Sequence, residues 1–156
     1  MADDSYIQIL LQDLKSSDKD IRRRATQELW RLWFEQKGEA GLEKIRKSEV
    51  WLQMGEISEA EAILNQLIQD LPDFAEAWNR RAVLYYLSHQ YEKALEDCKR
   101  AIALNPIHFG ALHGTGLCHA ALGNYSAAIQ AFQQALEVQP YSLENQRLIL
   151  ECTAKL

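Results

Sequence analysis

The stretch Ala75–Pro106, AEAWNRRAVLYYLSHQYEKALEDCKRAIALNP, decides the fold. Near its start, Trp78, Ala82 and Tyr85 recur at spacings of four and three, one stripe of an α-helix. Further on, Ala94, Leu95, Cys98, Ala101 and Ile102 follow the same i, i+3, i+4 rule. His89 lies between the two stripes, and Pro106 prevents the second helix from continuing. The spacing predicts helix, turn, helix, stop. Outward from this unit the pattern repeats: Pro72, Pro106 and Pro140 are 34 residues apart. Ala60, Ala94 and Ala128 keep that interval, as do Ile57, Tyr91 and Tyr125, then Ile68, Ile102 and Leu136, then the small residues Ser48, Ala82 and Gly116. Gly55 and Gly123 stand where His89 stands, at a helix end that needs a left-handed residue. Histidine tolerates positive φ better than most side chains. Asp73, three residues before Glu76, suggests a capping pair for the helix that follows.

A hairpin of two helices cannot bury its apolar face alone, so units of this length stack and share a continuous core. The whole chain has 156 residues, 47% of them hydrophobic and 25% charged, enough for such a core without staples. Its formal net charge of −5 disfavours a dedicated nucleic-acid domain, which gains most of its affinity from phosphate contacts. No apolar run reaches the roughly 18 residues that span a bilayer. The opening MADDSY lacks the basic-then-apolar pattern of a secretory signal. Cys98, Cys118 and Cys152 are too few and too scattered for a disulfide framework. A reducing, cytoplasmic location is the expectation.

The 34-residue period, with W-x3-small-x2-Y, then Y-x2-A, then A-I/L-x3-P, resembles the tetratricopeptide repeat. The copy nearest the pattern carries Trp78, Ala82, Tyr85, Tyr91, Ala94, Ala101 and Pro106. The next has Leu112, Gly116, His119, Tyr125, Ala128, Phe132, Ala135 and Pro140. An earlier copy has Ser48, Trp51, Gly55, Ala60, Leu64, Leu67 and Pro72, with Lys44 where a large apolar residue is usual. The resemblance implies an all-α, right-handed α-solenoid of stacked antiparallel helix pairs. The repeats are expected at residues 41–74, 75–108 and 109–142. Residues 143–156 are expected to form a C-terminal capping helix, with Ser142 as N-cap and Leu143, Ile149 and Leu150 covering the last repeat. Residues 1–40 read as an N-terminal cap of two helices, the second capped by Asp18. Their pattern L-x2-D-x-K-x3-(D/I)-R-x3-A-x2-L is similar to a HEAT-type hairpin. Lys37–Gly41, KGEAG, is expected to break that hairpin from the first repeat.

Nothing in the chain reads as catalysis, metal or cofactor chemistry. A phosphate-binding GKS/T loop is absent. His113, Cys118 and His119 are spaced five and one apart and do not share a helix face as zinc ligands would. No nucleophile has a base beside it. The expectation is a protein that is not an enzyme and holds no cofactor.

In the family, the first helix of each pair lines a concave side, and inward positions carry over to this chain as Arg46 and Glu49, then Asn79, Arg80, Val83 and Tyr86, then His113 and Leu117. The resemblance therefore implies an adaptor or scaffold that holds a peptide or helix of a client protein in this groove. Gly110, Gly114 and Ala120 leave its third section open. The family's carboxylate clamp for chaperone C-terminal peptides needs a lysine, two asparagines and two further basic residues. The matching positions here are Ile45, Glu49, Arg80, Gly110 and Gly114, so no clamp is expected. A second possible surface combines Arg22, Arg23 and Arg24 with Trp30, Trp33 and Phe34, because three large aromatics within five residues cannot share one core stripe. Two alternatives remain: RNA binding, through Arg80, Arg81 and the tyrosines or through Arg22–Arg24, and an assembly subunit docking through its N-terminal aromatics at Leu29–Phe34. A monomer is expected, with a dimer as the alternative, and no insertion into membrane.

Overall fold

The computed structural model describes residues 4–156, so Met1–Asp3 of the opening segment lie outside it. Nine helices and no strand occur among the described residues. The first two are α1 (Asp4–Asp13) and α2 (Lys19–Phe34). Three antiparallel pairs follow: α3 (Gly38–Gln53) with α4 (Ile57–Asp70), α5 (Ala75–Leu87) with α6 (Tyr91–Leu104), and α7 (Phe109–Ala121) with α8 (Tyr125–Val138). The last helix is α9 (Leu143–Thr153). Each pair packs on the next, and α5 also touches both α3 and α7, so the first helices line one face of a solenoid.

The repeat columns explain this stacking. Gly55, His89 and Gly123 have φ of 79°, 60° and 80°, the left-handed conformation their turns require. The amide three residues past each helix end then bonds back into the last turn: Glu56 to Trp51, Gln90 to Tyr85 and Asn124 to His119, at 2.8–2.9 Å. These are the bonds that satisfy orphan carbonyls at a helix end. Gly116 allows α7 and α8 to meet, because a Cβ there would lie 2.4 Å from the Phe132 ring. Buried Ile45, Leu64, Leu67, Phe74, Leu84 and Ala94 form one continuous core across the first two pairs.

The ends depart from expectation. Asp18 does cap α2, accepting from the amides of Asp20 and Ile21, and Ser142 caps α9 through the amide of Asn145. Asp73 caps nothing: α5 begins after Phe74 without a side-chain cap, and the Asp73 carboxylate pairs with Lys37 at 2.6 Å. The break before the first pair is shorter than the sequence suggests, since Gly38 (φ 75°) already opens α3. On α9, Leu143 and Leu150 face water at 77% and 72% exposure. Ile149 packs on the last repeat as expected, and Asn145, Leu148 and Cys152 pack in place of the other two. The three cysteines are free thiols, all buried. No helix of the described residues is long and apolar enough to cross a membrane.

The largest departure is the hairpin α1–α2. It does not continue the row of pairs. It lies along the solenoid, and its core of Leu10, Leu14, Ala25, Leu29 and Trp33 closes over Ile107 from the turn after α6 and over Phe109 and Val138 from the third pair. Thr26 meets Gln139 and the Arg22 guanidinium lies 4.1 Å from the centre of the Tyr141 ring, so the contact runs to the far end of the molecule.

Candidate functional site

Because α2 runs along the repeats, it covers one flank of their inner face. Trp33 stacks on the His108 ring at 4.5 Å and tilts against Phe109. Trp30 meets His108 and Phe109 edge-on. Gly110 makes room for Trp30, since a Cβ there would lie 2.6 Å from its ring. The bulky side chain for which Gly110 leaves space is thus the chain's own. The aromatic triplet of α2 is not an exposed docking patch: Trp33 is buried, and Trp30 and Phe34 are partly buried. All three find partners because the inner face of the repeats supplies the second surface that a lone hairpin lacks.

Beneath these rings lies a buried polar network. Glu76 and His108 are both fully enclosed, and their side chains meet at 2.9 Å. His108 Nδ1 accepts the Ala111 amide proton and caps α7, so Nε2–H is the donor to Glu76. The other carboxylate oxygen of Glu76 accepts from Asn79 and from Arg80 Nε. Burial pushes the Glu76 pKa up, but His108, Arg80 and Asn79 together outweigh it and hold the carboxyl below its ordinary range. Arg80 reaches on to Glu49 at 2.9 Å and lies over the rings of Trp30 and Phe34. Every charged member has a partner, which is what makes such a cluster tolerable in low dielectric.

The other flank of the inner face stays open. There α5 and α7 enclose a recess of ≈140 Å³. From α5 it is lined by Asn79, Ala82, Val83, Tyr86 and Leu87, and from α7 by Gly110, His113, Gly114, Leu117 and Cys118. Cys98 of α6 completes the lining. No Asp, Glu, Lys or Arg lines it. The Cys98 thiol, pressed against Cys118 and buried, is held well above its ordinary pKa and stays uncharged. His113 Nδ1–H donates to Asn145 at 2.6 Å, which fixes the ring from α9.

The residues expected in the groove therefore divide. Asn79, Val83, Tyr86, His113 and Leu117 gather at the recess. Arg80 and Glu49 pair with each other, so the free guanidinium expected to orient a client is committed to the interior. Arg46 is exposed on α3. Arg81, next in the opening stretch, binds Asp97 through two bonds and lies over Trp78 and Tyr85. Of the basic run, Arg22 bonds the Ser16 carbonyl, Arg23 pairs with Asp20, and Arg24 is exposed. The helical stripe through Ala94 and Ala101 predicts Cys98 as a core residue, and the sequence gives Cys118 no role in the groove. It had no signal that Glu76 and His108 would pair across a repeat. The glycines of α7 were the available clue to the recess.

A family profile described as the tetratricopeptide repeat matches residues 75–108 and 111–142. Those two stretches carry tetratricopeptide repeats. Among curated proteins, these repeats are 35% identical over 77 residues to a TPR repeat-containing protein of Rhizobium etli, covering 49% of this chain and 38% of that one. They are 29% identical over 97 residues to anaphase-promoting complex subunit 3 of Schizosaccharomyces pombe, 62% of this chain and 14% of that subunit. The chain thus spans well under half of these relatives. Among solved structures, the first tetratricopeptide domain of Spaghetti (RPAP3), bound to the HSP90 peptide SRMEEVD, superposes with a TM-score of 0.70 at 22% identity, over 72% of this chain and 90% of that one. The Sgt2 domain of Aspergillus fumigatus gives 0.68 at 23% identity, over 72% and 76%. At such identity these likenesses concern the solenoid alone.

Proposed function

We propose that this protein is a non-catalytic adaptor that holds a peptide or helix of a client protein on the open flank of its concave face. The observation that carries this reading is the uncharged recess between α5 and α7, left uncovered while α2 seals the opposite flank. Solved relatives of the same fold hold HSP90 and HSP70 peptides, SRMEEVD and SGPTIEEVD among them. In this chain the five clamp positions hold Ile45, Glu49, Arg80, Gly110 and Gly114, and the single cation among them is paired with Glu49 and Glu76. The proposed client is therefore gripped by its side chains and not by a terminal carboxylate. Calorimetry with an EEVD-ending peptide is expected to show no binding at micromolar concentration; a micromolar Kd would refute this part of the reading.

The test of the groove is a quantitative comparison of proteins recovered from native lysate by the wild-type chain and by an Arg46→Glu/Leu87→Arg variant. Both positions are exposed, so the fold is expected to survive. Loss of a client from the variant supports the groove. An unchanged set of partners rules it out.

A further inference from the structure

Helix α7 carries three glycines in thirteen residues, at 110, 114 and 116. Each weakens a helix relative to alanine. Two of them have packing reasons: a Cβ at Gly110 would strike Trp30, and one at Gly116 would strike Phe132. Gly114 is different. A Cβ there would meet only the Cys98 sulfur, at 3.2 Å, a contact a small shift relieves. What the missing side chain provides is the depth of the recess, because Gly114 and Cys98 both line it.

The volume, ≈140 Å³, is close to that of an apolar cavity that accepts benzene, about 150 Å³. One aliphatic side chain fills such a space. The lining disfavours charged occupants, since an ammonium or carboxylate placed there would lose water without meeting an Asp, Glu, Lys or Arg. Leu87, 56% exposed at the rim, extends the apolar surface outward.

We propose that this recess is a socket for a single uncharged aliphatic or methionine side chain of the client, and that this anchor fixes the client in the groove. The proposal rests on the groove reading above and specifies the chemistry of its ligand. Full burial of one such side chain amounts to roughly ten- to hundredfold in affinity.

The test uses the full ¹⁵N-labelled chain and side-chain analogues as probes: 3-methylbutan-1-ol and ethyl methyl sulfide against butylammonium and propionate. The uncharged pair is expected to shift the Gly110 and Gly114 amides saturably, and the charged pair is not. Gly114→Val should abolish the shifts at Gly110. Val83→Phe, which plugs the socket from α5 and leaves the sequence of α7 unchanged, should do the same and covers the case in which the glycine variant fails to fold. No saturable shift with the uncharged probes, or equal shifts with the charged ones, would overturn the socket. The plugged variants then enter the lysate comparison. A client reduced about tenfold or more by both plugs supports the anchor. A client lost from Arg46→Glu/Leu87→Arg but kept by both plugs overturns the anchor and leaves the groove standing. A client kept by all three variants removes the groove itself.

Discussion

Glu76 is the side chain on which most of the inner face converges. It joins α7 through His108, its own helix through Asn79 and Arg80, and α3 through Arg80 to Glu49. Glu76→Gln keeps the shape but removes the charge from beside Arg80. It should destabilise the protein by about 3 kcal/mol, the low end for breaking a buried pair, because Arg80 retains Glu49. The pH dependence has a definite sign. A carboxyl with a depressed folded pKa supplies stability in full above its unfolded value of about 4.3, and that stability is lost as pH falls through the folded value. Urea unfolding between pH 7 and pH 3 should therefore show a steeper acid loss in the wild type than in Glu76→Gln; parallel curves would refute the assignment. Tyr85 supplies the opposite limb. Burial and its bond to Glu61 push its pKa up to about 12, so the stability it provides is complete below about pH 10 and lost as pH rises through 12. Tyr85→Phe should remove that alkaline loss, read from unfolding midpoints at pH 9 and 11.5.

The glycines of α7 make paired predictions because they stand in one helix with different surroundings. Gly110→Ala gains about 1 kcal/mol of helix propensity but drives a methyl into Trp30, so net destabilisation of about 1–3 kcal/mol is expected, with a change in tryptophan fluorescence. Gly114→Ala meets only a sulfur and should be neutral or stabilising by up to about 1 kcal/mol. Thermal melts of the two variants shifting in the same direction would refute the distinct roles given to these positions. The same helix shows what could be read from the sequence. Pro72, Pro106 and Pro140, with their alanine and tyrosine columns, were enough to place the three pairs, because stacked repeats obey rules that recur every 34 residues. Val83, Tyr86, His113 and Leu117 could be assigned to the inner face for the same reason. The path of α2 could not be read. It depends on contacts such as Thr26 with Gln139, 113 residues apart, which have no period. Without that path, Gly110 looked like open space and Arg80 like a free cation. On α9 the sequence marks Ile149 correctly but not its neighbour Leu150, because one step on a helix turns a side chain by about 100°.

A simple solenoid unfolds as a chain of neighbours, each unit touching only the next. Here α2 ties the second pair to the third and reaches the turn before α9. It should convert a nearest-neighbour array into one cooperative unit. Denaturation of the wild type, followed by helical circular dichroism and by separate fluorescent labels near Met54 and Leu150, is expected to give coincident transitions. Trp30→Ala, which loosens the tie, should lower stability by about 3 kcal/mol and separate the two labels. Coincident transitions in the variant would show that the repeats are cooperative without α2. The tie also has a consequence in time. During synthesis α2 leaves the ribosome more than a hundred residues ahead of Gln139 and Tyr141. At a translation rate of about 5–20 residues per second, its aromatic face waits several seconds for the surface that will cover it. For that interval the nascent chain presents Trp30, Trp33 and Phe34 to whatever it meets first.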